Sequence, residues 1–456
     1  MNRVAGRAGI VLLLCLLLSA GVIFFVFEFS ASADEWVVFA GSPHVYNGGN
    51  IGCGIITDRD GVLLLDMRQG RTYAENTLLR QSTVHWVGDR KGSVNAPALS
   101  NYAAELTGFN LLSGVYSYGQ TGGIAELTLS ARVQTAALEA MGTHKGTIGV
   151  YNYKTGELMC SVSTPTYDPD NIPDIESDIT GAFEGIYLNR FTQSVYIPGS
   201  IFKIVTLAAA LEENPDILEQ TFVCTGTYLI GEDEIVCEGA HWEQDLKLAF
   251  RNSCNCAFAQ IALQLGAEAL ERYASQFMIT DSVCFDGITT TAGNFELSDA
   301  VDVNVAWSSI GQYTDQINPC RFMTFLGAIA AGGKGTKPYM VHSITVDNLK
   351  TYSADLTTEK RIMSAKTANI LQEYLRNNVE TKYGAENFPG LTVCAKTGTA
   401  EVGGDKKPNA MLTGFVADEK YPLAFIVAVE DGGYGSEVCI PILSKVLAAC
   451  KTAMDA

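Results

Sequence analysis

The sequence predicts a mixed α/β layer fold: a five-stranded sheet covered by helices, preceded by a single apolar helix and a small β-rich segment. Three observations predict it. Five β-rich runs occur at residues 147–153, 157–163, 393–395, 411–417 and 423–430. Helical runs lie before, between and after them, at 200–211, 246–265, 321–331, 367–378 and 440–450. Elements interleaved in this way bury their apolar faces against one another in layers. The third observation is N-terminal: residues 9–27 carry no charge and are dominated by Leu, Val, Ile and Phe.

That apolar run spans roughly 28 Å as a helix, close to the ~30 Å hydrocarbon core of a bilayer. Arg3 and Arg7 precede it, and Glu28, Asp34 and Glu35 follow. The asymmetry makes 1–7 a cytoplasmic tail, 8–28 a transmembrane anchor and the remainder extracytoplasmic. The alternative is a cleaved signal peptide, because Ala31-Ser-Ala33 is an A-x-A site. The run exceeds the usual apolar h-region of such a peptide, which favours the anchor. Leu14 before Cys15 argues against a lipoprotein site.

Residues 29–123 read as a stalk of short strands at 36–40, 54–57 and 62–65, with turns at Gly48-Gly49 and Asp60-Gly61. The glycine-rich stretch 119–123 marks a boundary, and 124–456 is the larger domain. That domain opens with a strand and an amphipathic helix presenting Val133, Ala137, Leu138 and Met141 on one face. Lys154-Thr-Gly156 between two β-rich runs is a hairpin turn. The formal charge of -19 is spread along the chain, which disfavours nucleic acid as a partner.

Chemistry concentrates in three stretches. Ser200 and Lys203 stand three apart at the start of a helical run, after the turn Pro198-Gly199, and so share a helix face. A serine hydroxyl needs a base to become a nucleophile, and a buried lysine with a lowered pKa can be that base. Ser253 and Asn255 stand two apart at an apparent helix junction. The serine can relay a proton, and the asparagine amide can hold a carbonyl and bond a lysine. Lys396-Thr-Gly-Thr399 lies in a β-rich run. Lys396 supplies positive charge, Thr397 and Thr399 supply hydroxyls, and Gly398 admits an extended ligand close to the backbone. Each pattern is weak alone, but the ordered set S-x-x-K, S-x-N and K-T-G is specific.

With that set the chain resembles the penicillin-binding proteins of the serine β-lactamase and transpeptidase superfamily. Ser163-Thr-Pro-Thr-Tyr-Asp-Pro169, Asn189-Arg190, Gly311-Gln312 and Lys337-Pro-Tyr339 resemble further signatures of the family. Asp58-Arg-Asp-Gly61 resembles the D-R-N-G of its class B, monofunctional D,D-transpeptidase group. The resemblance implies an antiparallel five-stranded sheet and a serine acyl-enzyme. By it Ser200 attacks the bond between two terminal D-alanines of a peptidoglycan stem peptide, with Lys203 as base and Ser253 as proton relay. Asn255, Lys396, Thr397, Gly398 and Thr399 bind the substrate, and backbone N–H groups of Ser200 and Thr399 form the oxyanion hole. A second stem's amine then completes a cross-link. β-Lactams inhibit covalently, no cofactor is implied, and sugar-chain polymerisation falls to a membrane glycosyltransferase partner.

Other readings of the same residues are a D,D-carboxypeptidase, a non-catalytic cell-wall scaffold and a β-lactam sensor. An intact set of Ser200, Lys203, Ser253, Asn255 and Lys396 argues against lost catalysis, and a single span argues against a sensor. A β-lactamase is disfavoured, since Ser253-Cys-Asn255 departs from the S-x-V of class D and no class A glutamate loop is present. Division, elongation and sporulation are equally open.

An exported domain normally pairs its cysteines. Of twelve, Cys224 and Cys237 bracket residues 225–236; they either form a bridge contributing ~3 kcal/mol or stay reduced. Cys254 reads as a packing residue. The five histidines, His44, His85, His144, His241 and His342, are scattered, and neither C-x-x-C nor H-E-x-x-H occurs, so no metal site is expected. His241 reads as a core or surface residue.

Overall fold

The strand Leu423–Glu430 is apolar at seven consecutive positions rather than at alternate ones, because both its faces are covered. A computed structural model describes residues 2–39, 42, 45–47, 50–109, 122–404 and 406–456. In it Phe425, Val427 and Val429 join one core with Val133, Ala137, Leu138 and Met141 of the helix Ala131–Met141 and with Leu443, Val446 and Leu447 of the helix Gly435–Asp455. Ala424, Ile426 and Ala428 point the other way, into a core shared with the helices Lys203–Glu213 and Pro319–Ala330. The sheet is antiparallel throughout, in the order Val393–Ala400, Asn409–Val416, Leu423–Glu430, Lys145–Asn152, Leu158–Thr164. This is the five-stranded, helix-covered sheet expected from the sequence, and Val393–Ala400 forms one edge of it.

A second sheet of six strands runs Leu349–Ser353, Val341–Val346, Ile124–Leu127, Ile55–Thr57, Leu63–Asp66, Thr72–Tyr73. It combines strands from both sides of the boundary placed at 123/124, and Ile55–Thr57 pairs in parallel with Ile124–Leu127. Asp58 ties this junction. Its carboxylate accepts the N–H groups of Asp60 at 2.9 Å and Val62 at 2.8 Å, closing the turn. Its other oxygen accepts the N–H of Ala131 at 2.8 Å, capping the helix Ala131–Met141. Asp58→Ala would strip three N–H groups of a charged acceptor at a buried site, so a loss of about 3 kcal/mol is expected. Chemical denaturation of the variant against Asp58→Asn, which retains an acceptor oxygen, checks it.

Several expectations need correction. Where a strand was expected from residue 36, Trp36 and Val37 instead end a helix, Asn2–Val37, and residue 40 lies outside the described residues. No Gly or Pro interrupts residues 22–37, and Ser30 Oγ donates back to the Val26 carbonyl at 2.8 Å, so the aromatic and β-branched residues there continue the apolar helix. Within it Val4–Ala33 is long and apolar enough to cross a membrane. The upstream segment also contains an unpredicted helix, Thr77–Val87, whose buried face includes Ser82, Thr83 and His85. Those polar groups are satisfied by the carbonyls of Leu79 and Ile186, and they dilute the apolar periodicity that would mark a helix. The helical run 246–265 is two helices, Leu246–Asn252 and Asn255–Leu265, divided at Ser253. Residues 225–236 contain the hairpin Thr227–Ile230 with Asp233–Val236. All twelve cysteines are free, so of the two alternatives for Cys224 and Cys237 the reduced one is found, with both sulfurs against His241 Nδ1. His44, the Gly48-Gly49 turn and residues 119–121 lie outside the described residues.

Candidate active site

Ser200 lies in a 3₁₀ turn, Gly199–Phe202, that feeds the helix Lys203–Glu213. In such a turn positions i and i+3 eclipse, which sets Lys203 directly over Ser200. Two glycines let the turn seat against the edge strand. Gly199 adopts φ +54°, and a Cβ there would stand 2.5 Å from the Thr399 carbonyl oxygen. A Cβ on Gly398 would meet Ile201 Cγ2 at 2.9 Å and the Pro198 carbonyl oxygen at 3.0 Å. The side of Gly398 on which a Cβ would lie is therefore filled by the turn that carries Ser200.

Lys203 is fully buried inside a nine-residue buried stretch, 203–211. Its Nζ lies 2.7 Å from Ser200 Oγ, 2.7 Å from Asn255 Oδ1, 3.1 Å from the Ser253 carbonyl oxygen and 3.2 Å from Ser253 Oγ. Burial pushes the Lys203 ammonium down to about 7; negative charge at Cys237, Cys254 and Glu238 opposes this, and Lys382 reinforces it. Lys396, also buried, places Nζ 3.0 Å from Ser253 Oγ and donates to the Thr397 carbonyl at 2.8 Å. Burial holds its pKa well below the ordinary lysine range, and the charges of Lys203 and Lys382 push the same way.

Ser253 thus joins the two lysines. It does so from a left-handed backbone conformation, φ 56° and ψ 39°, as the cap between the two helices. A non-glycine residue there costs of order 1 kcal/mol or more and persists where the surroundings dictate it. Asn255 uses both ends of its amide, accepting at Oδ1 from Lys203 and donating through Nδ2 to the Val236 carbonyl at 2.8 Å. One N–H of Nδ2 remains for a ligand. Ser200, Ser253, Asn255, Thr397 and Thr399 line a cleft of about 690 Å³. Lys203 and Lys396 lie beneath its floor.

The structure therefore brings the three motif stretches to one place. The penicillin binding protein transpeptidase domain model matches residues 146–448, which contain all of them. The chain belongs to the penicillin-binding protein transpeptidase family. The penicillin-binding proteins it resembles include the peptidoglycan D,D-transpeptidase PbpA of Mycobacterium tuberculosis, 28% identical over 385 residues and 77% of each chain. Stage V sporulation protein D of Bacillus subtilis is 27% identical over 347 residues, 71% of this chain and 52% of the relative. Among solved structures, the D,D-transpeptidase domain of a peptidoglycan glycosyltransferase from Eggerthella lenta superposes with TM-score 0.76 at 25% identity, covering 88% of this chain and 98% of that one. Penicillin-binding protein A of M. tuberculosis, as a ceftriaxone acyl-enzyme complex, has the same fold, with TM-score 0.75 at 24% identity over 87% and 98% of the two chains.

Two residues of this penicillin-binding protein site escaped the sequence reading. Tyr383 OH lies 3.0 Å from Thr397 Oγ1 and accepts the Thr397 N–H at 3.2 Å, fixing that threonine. Lys382 beside it lines the cleft and donates to the Arg251 carbonyl at 3.3 Å. Both belong to one π-helical turn, Val379–Tyr383, a geometry frequent at functional sites and without a residue signature. Conversely, the second Lys-Thr-Gly is a plain turn, with Asn152 Oδ1 accepting the N–H groups of Lys154 and Thr155.

Proposed function

We propose that the protein is a peptidoglycan D,D-transpeptidase that works through an acyl-enzyme on Ser200 and is acylated by β-lactams. The observation that carries this is the continuous chain Ser200 Oγ, Lys203 Nζ, Ser253 Oγ, Lys396 Nζ, with steps of 2.7, 3.2 and 3.0 Å. Neutral Lys203 takes the Ser200 proton as Oγ attacks the carbonyl between two D-alanines. Backbone N–H groups of Ser200 and Thr399 stabilise the oxyanion, a contribution of roughly 3–4 kcal/mol per donor. Ser253 hands a proton to the departing D-alanine amine. The Asn255 amide holds the stem peptide, and Lys396, Thr397 and Thr399 hold its terminal carboxylate. An amine from a second stem then displaces Oγ from the ester, and its proton returns along the same path.

The apolar helix would anchor the chain with residues 1–7 inside, and residues 29–123 would set the catalytic part, 124–456, away from the membrane. Polymerised sugar chains would come from a glycosyltransferase partner. The full chain should be incubated with a donor peptide ending in D-Ala-D-Ala and a labelled D-amino acid as acceptor amine. Exchange of the terminal residue supports transfer; hydrolysis alone, whatever the acceptor concentration, would make the protein a D,D-carboxypeptidase.

The lowered Lys203 also predicts a pH profile. The base form is the neutral amine, so acylation should fall on acidification through about pH 7 and level off above it. Lys396, Lys382, Glu238 and the Cys237 and Cys254 thiols surround this group and shape the midpoint. Stopped-flow acylation rates measured across that range test the expectation. A profile flat across it would remove Lys203 as the base.

A further inference from the structure

Four side chains behind the S-x-N motif converge on one point: Cys224, Cys237, His241 and Cys254, with all their ligand atoms within 4.8 Å of one another. The chain builds this convergence from short elements. Cys224 ends the strand Thr221–Cys224, Cys237 directly follows the hairpin strand Asp233–Val236, and His241 precedes the strand Trp242–Asp245. The His241 N–H donates to the Cys224 carbonyl at 3.0 Å and the Cys237 N–H to the Gly226 carbonyl at 2.9 Å, so three of the four are held at the neck of one hairpin. The fourth, Cys254, caps the helix Asn255–Leu265 and accepts the Ala257 N–H at 3.4 Å.

The spacings discriminate between possible reasons for the cluster. Tetrahedral zinc, with Zn–S of about 2.3 Å and Zn–N of about 2.0–2.1 Å, has S···S edges of about 3.8 Å and S···N edges of about 3.5 Å. Here Cys224 Sγ and Cys237 Sγ lie 3.6 and 3.5 Å from His241 Nδ1, and Cys237 Sγ lies 4.0 Å from Cys254 Sγ. Bonded sulfurs would be about 2.05 Å apart. Cys224 and Cys254 are buried, and Cys256 borders the cluster: its thiol donates to the Ile235 carbonyl and touches the other thiols, but its sulfur is not one of the four that converge.

We propose that Cys224, Cys237, His241 and Cys254 form a closed, four-coordinate zinc site that positions the Ser253-Cys-Asn255 segment in the active site. Three thiolates and one imidazole suit zinc among the common divalent ions, and four protein ligands leave no open position for catalysis by the metal. The three thiol protons leave to solvent as the ion binds. The ion would pin Cys254 between the two residues that face Lys203. It would also pin Cys237 next to Val236, whose carbonyl holds the Asn255 amide. The four ligands are separated by 12, 3 and 12 residues, so no short sequence pattern announces them.

The positioning half of this proposal rests on the acylation chemistry above, whereas the metal half does not. The test uses the full chain in detergent, purified without chelator, with elemental analysis by mass spectrometry and with cobalt substitution. Equimolar zinc is expected, and the cobalt form should show the intense visible and sulfur-to-metal charge-transfer bands of a tetrahedral thiolate site. Both should be lost in Cys224→Ser, whose side chain does not line the cleft, and kept in Ser200→Ala. Stripping zinc with a chelator should slow penicillin acylation about 100-fold, the cost of a small misplacement of catalytic groups, and zinc should restore it. Free thiols with no bound zinc after reconstitution, equimolar iron in place of zinc, or a disulfide among these cysteines would each overturn the site. Stoichiometric zinc whose removal leaves the acylation rate unchanged would overturn the positioning role.

Discussion

Ser200→Ala is expected to carry no adduct after exposure to a fluorescent penicillin, while the wild-type chain carries one on Ser200 that outlives digestion and mass analysis. The expectation follows from position as much as from residue type. Ser200 Oγ is the polar atom of the 3₁₀ turn that both borders the cleft and touches a buried amine, Lys203 Nζ. Removing it deletes the atom that forms the acyl bond, so the loss should reach roughly four orders of magnitude or more in acylation rate. The fold should be indifferent. Ser200 is partly exposed, and Lys203 retains the Ser253 and Asn255 oxygens as partners, so the change in stability should stay within about 1 kcal/mol. An adduct forming at the wild-type rate on another residue would sink the assignment of the nucleophile and, with it, the roles given to Lys203 and Ser253.

The parts of this site that could be read from the sequence are those whose geometry is local. Ser200 and Lys203 are one turn apart, and Lys396 to Thr399 are consecutive in one strand, so a regular backbone alone brings each set together. The central sheet was legible for a similar reason. Strands buried on both faces are continuous apolar runs, and Leu423–Glu430 states this without ambiguity. Features made by distant chain segments were not legible. Tyr383 meets Thr397 because a π turn after the helix Ala365–Asn378 happens to face the edge strand. Cys224, Cys237, His241 and Cys254 meet because a hairpin neck closes over a helix cap, and each residue taken alone looks like ordinary packing. The S-x-P-x-Y-D-P run had a visible pattern but no visible partner. In the fold Asp168 takes a bidentate pair from Arg80, at 2.7 and 2.6 Å, and so clamps the helix Thr77–Val87 to the catalytic part. Asp58 is the same kind of case, a motif residue whose work is to join two segments of backbone.

Lys203→Met provides the second large effect, and it separates catalysis from architecture. Methionine is also long and unbranched, so it can occupy much of the lysine stem's path through the core beside Phe258. What disappears is the amine. Without a base beside Ser200 the acylation rate should fall about 10³–10⁴-fold, the scale of a lost general base. Stability responds to opposing changes. The buried ammonium no longer has to be kept from water, a gain. Asn255 Oδ1 and the Ser253 carbonyl lose a donor, at about 1–3 kcal/mol for a group left unpaired. These terms offset one another, so the melting temperature should move little while the rate collapses. A lysine kept for structure would give the reverse pattern, with a marked fall in melting temperature and acylation that stays near the wild-type rate at temperatures where the variant is folded. Measuring both quantities on one preparation distinguishes the cases, and Lys203→Arg sharpens the contrast. Arginine keeps the charge and the hydrogen-bond donors but remains protonated at any relevant pH. If Lys203 acts by accepting the Ser200 proton, the arginine variant should be as slow as the methionine one. If it acts solely as a positive charge beside the nucleophile, the arginine variant should recover much of the rate.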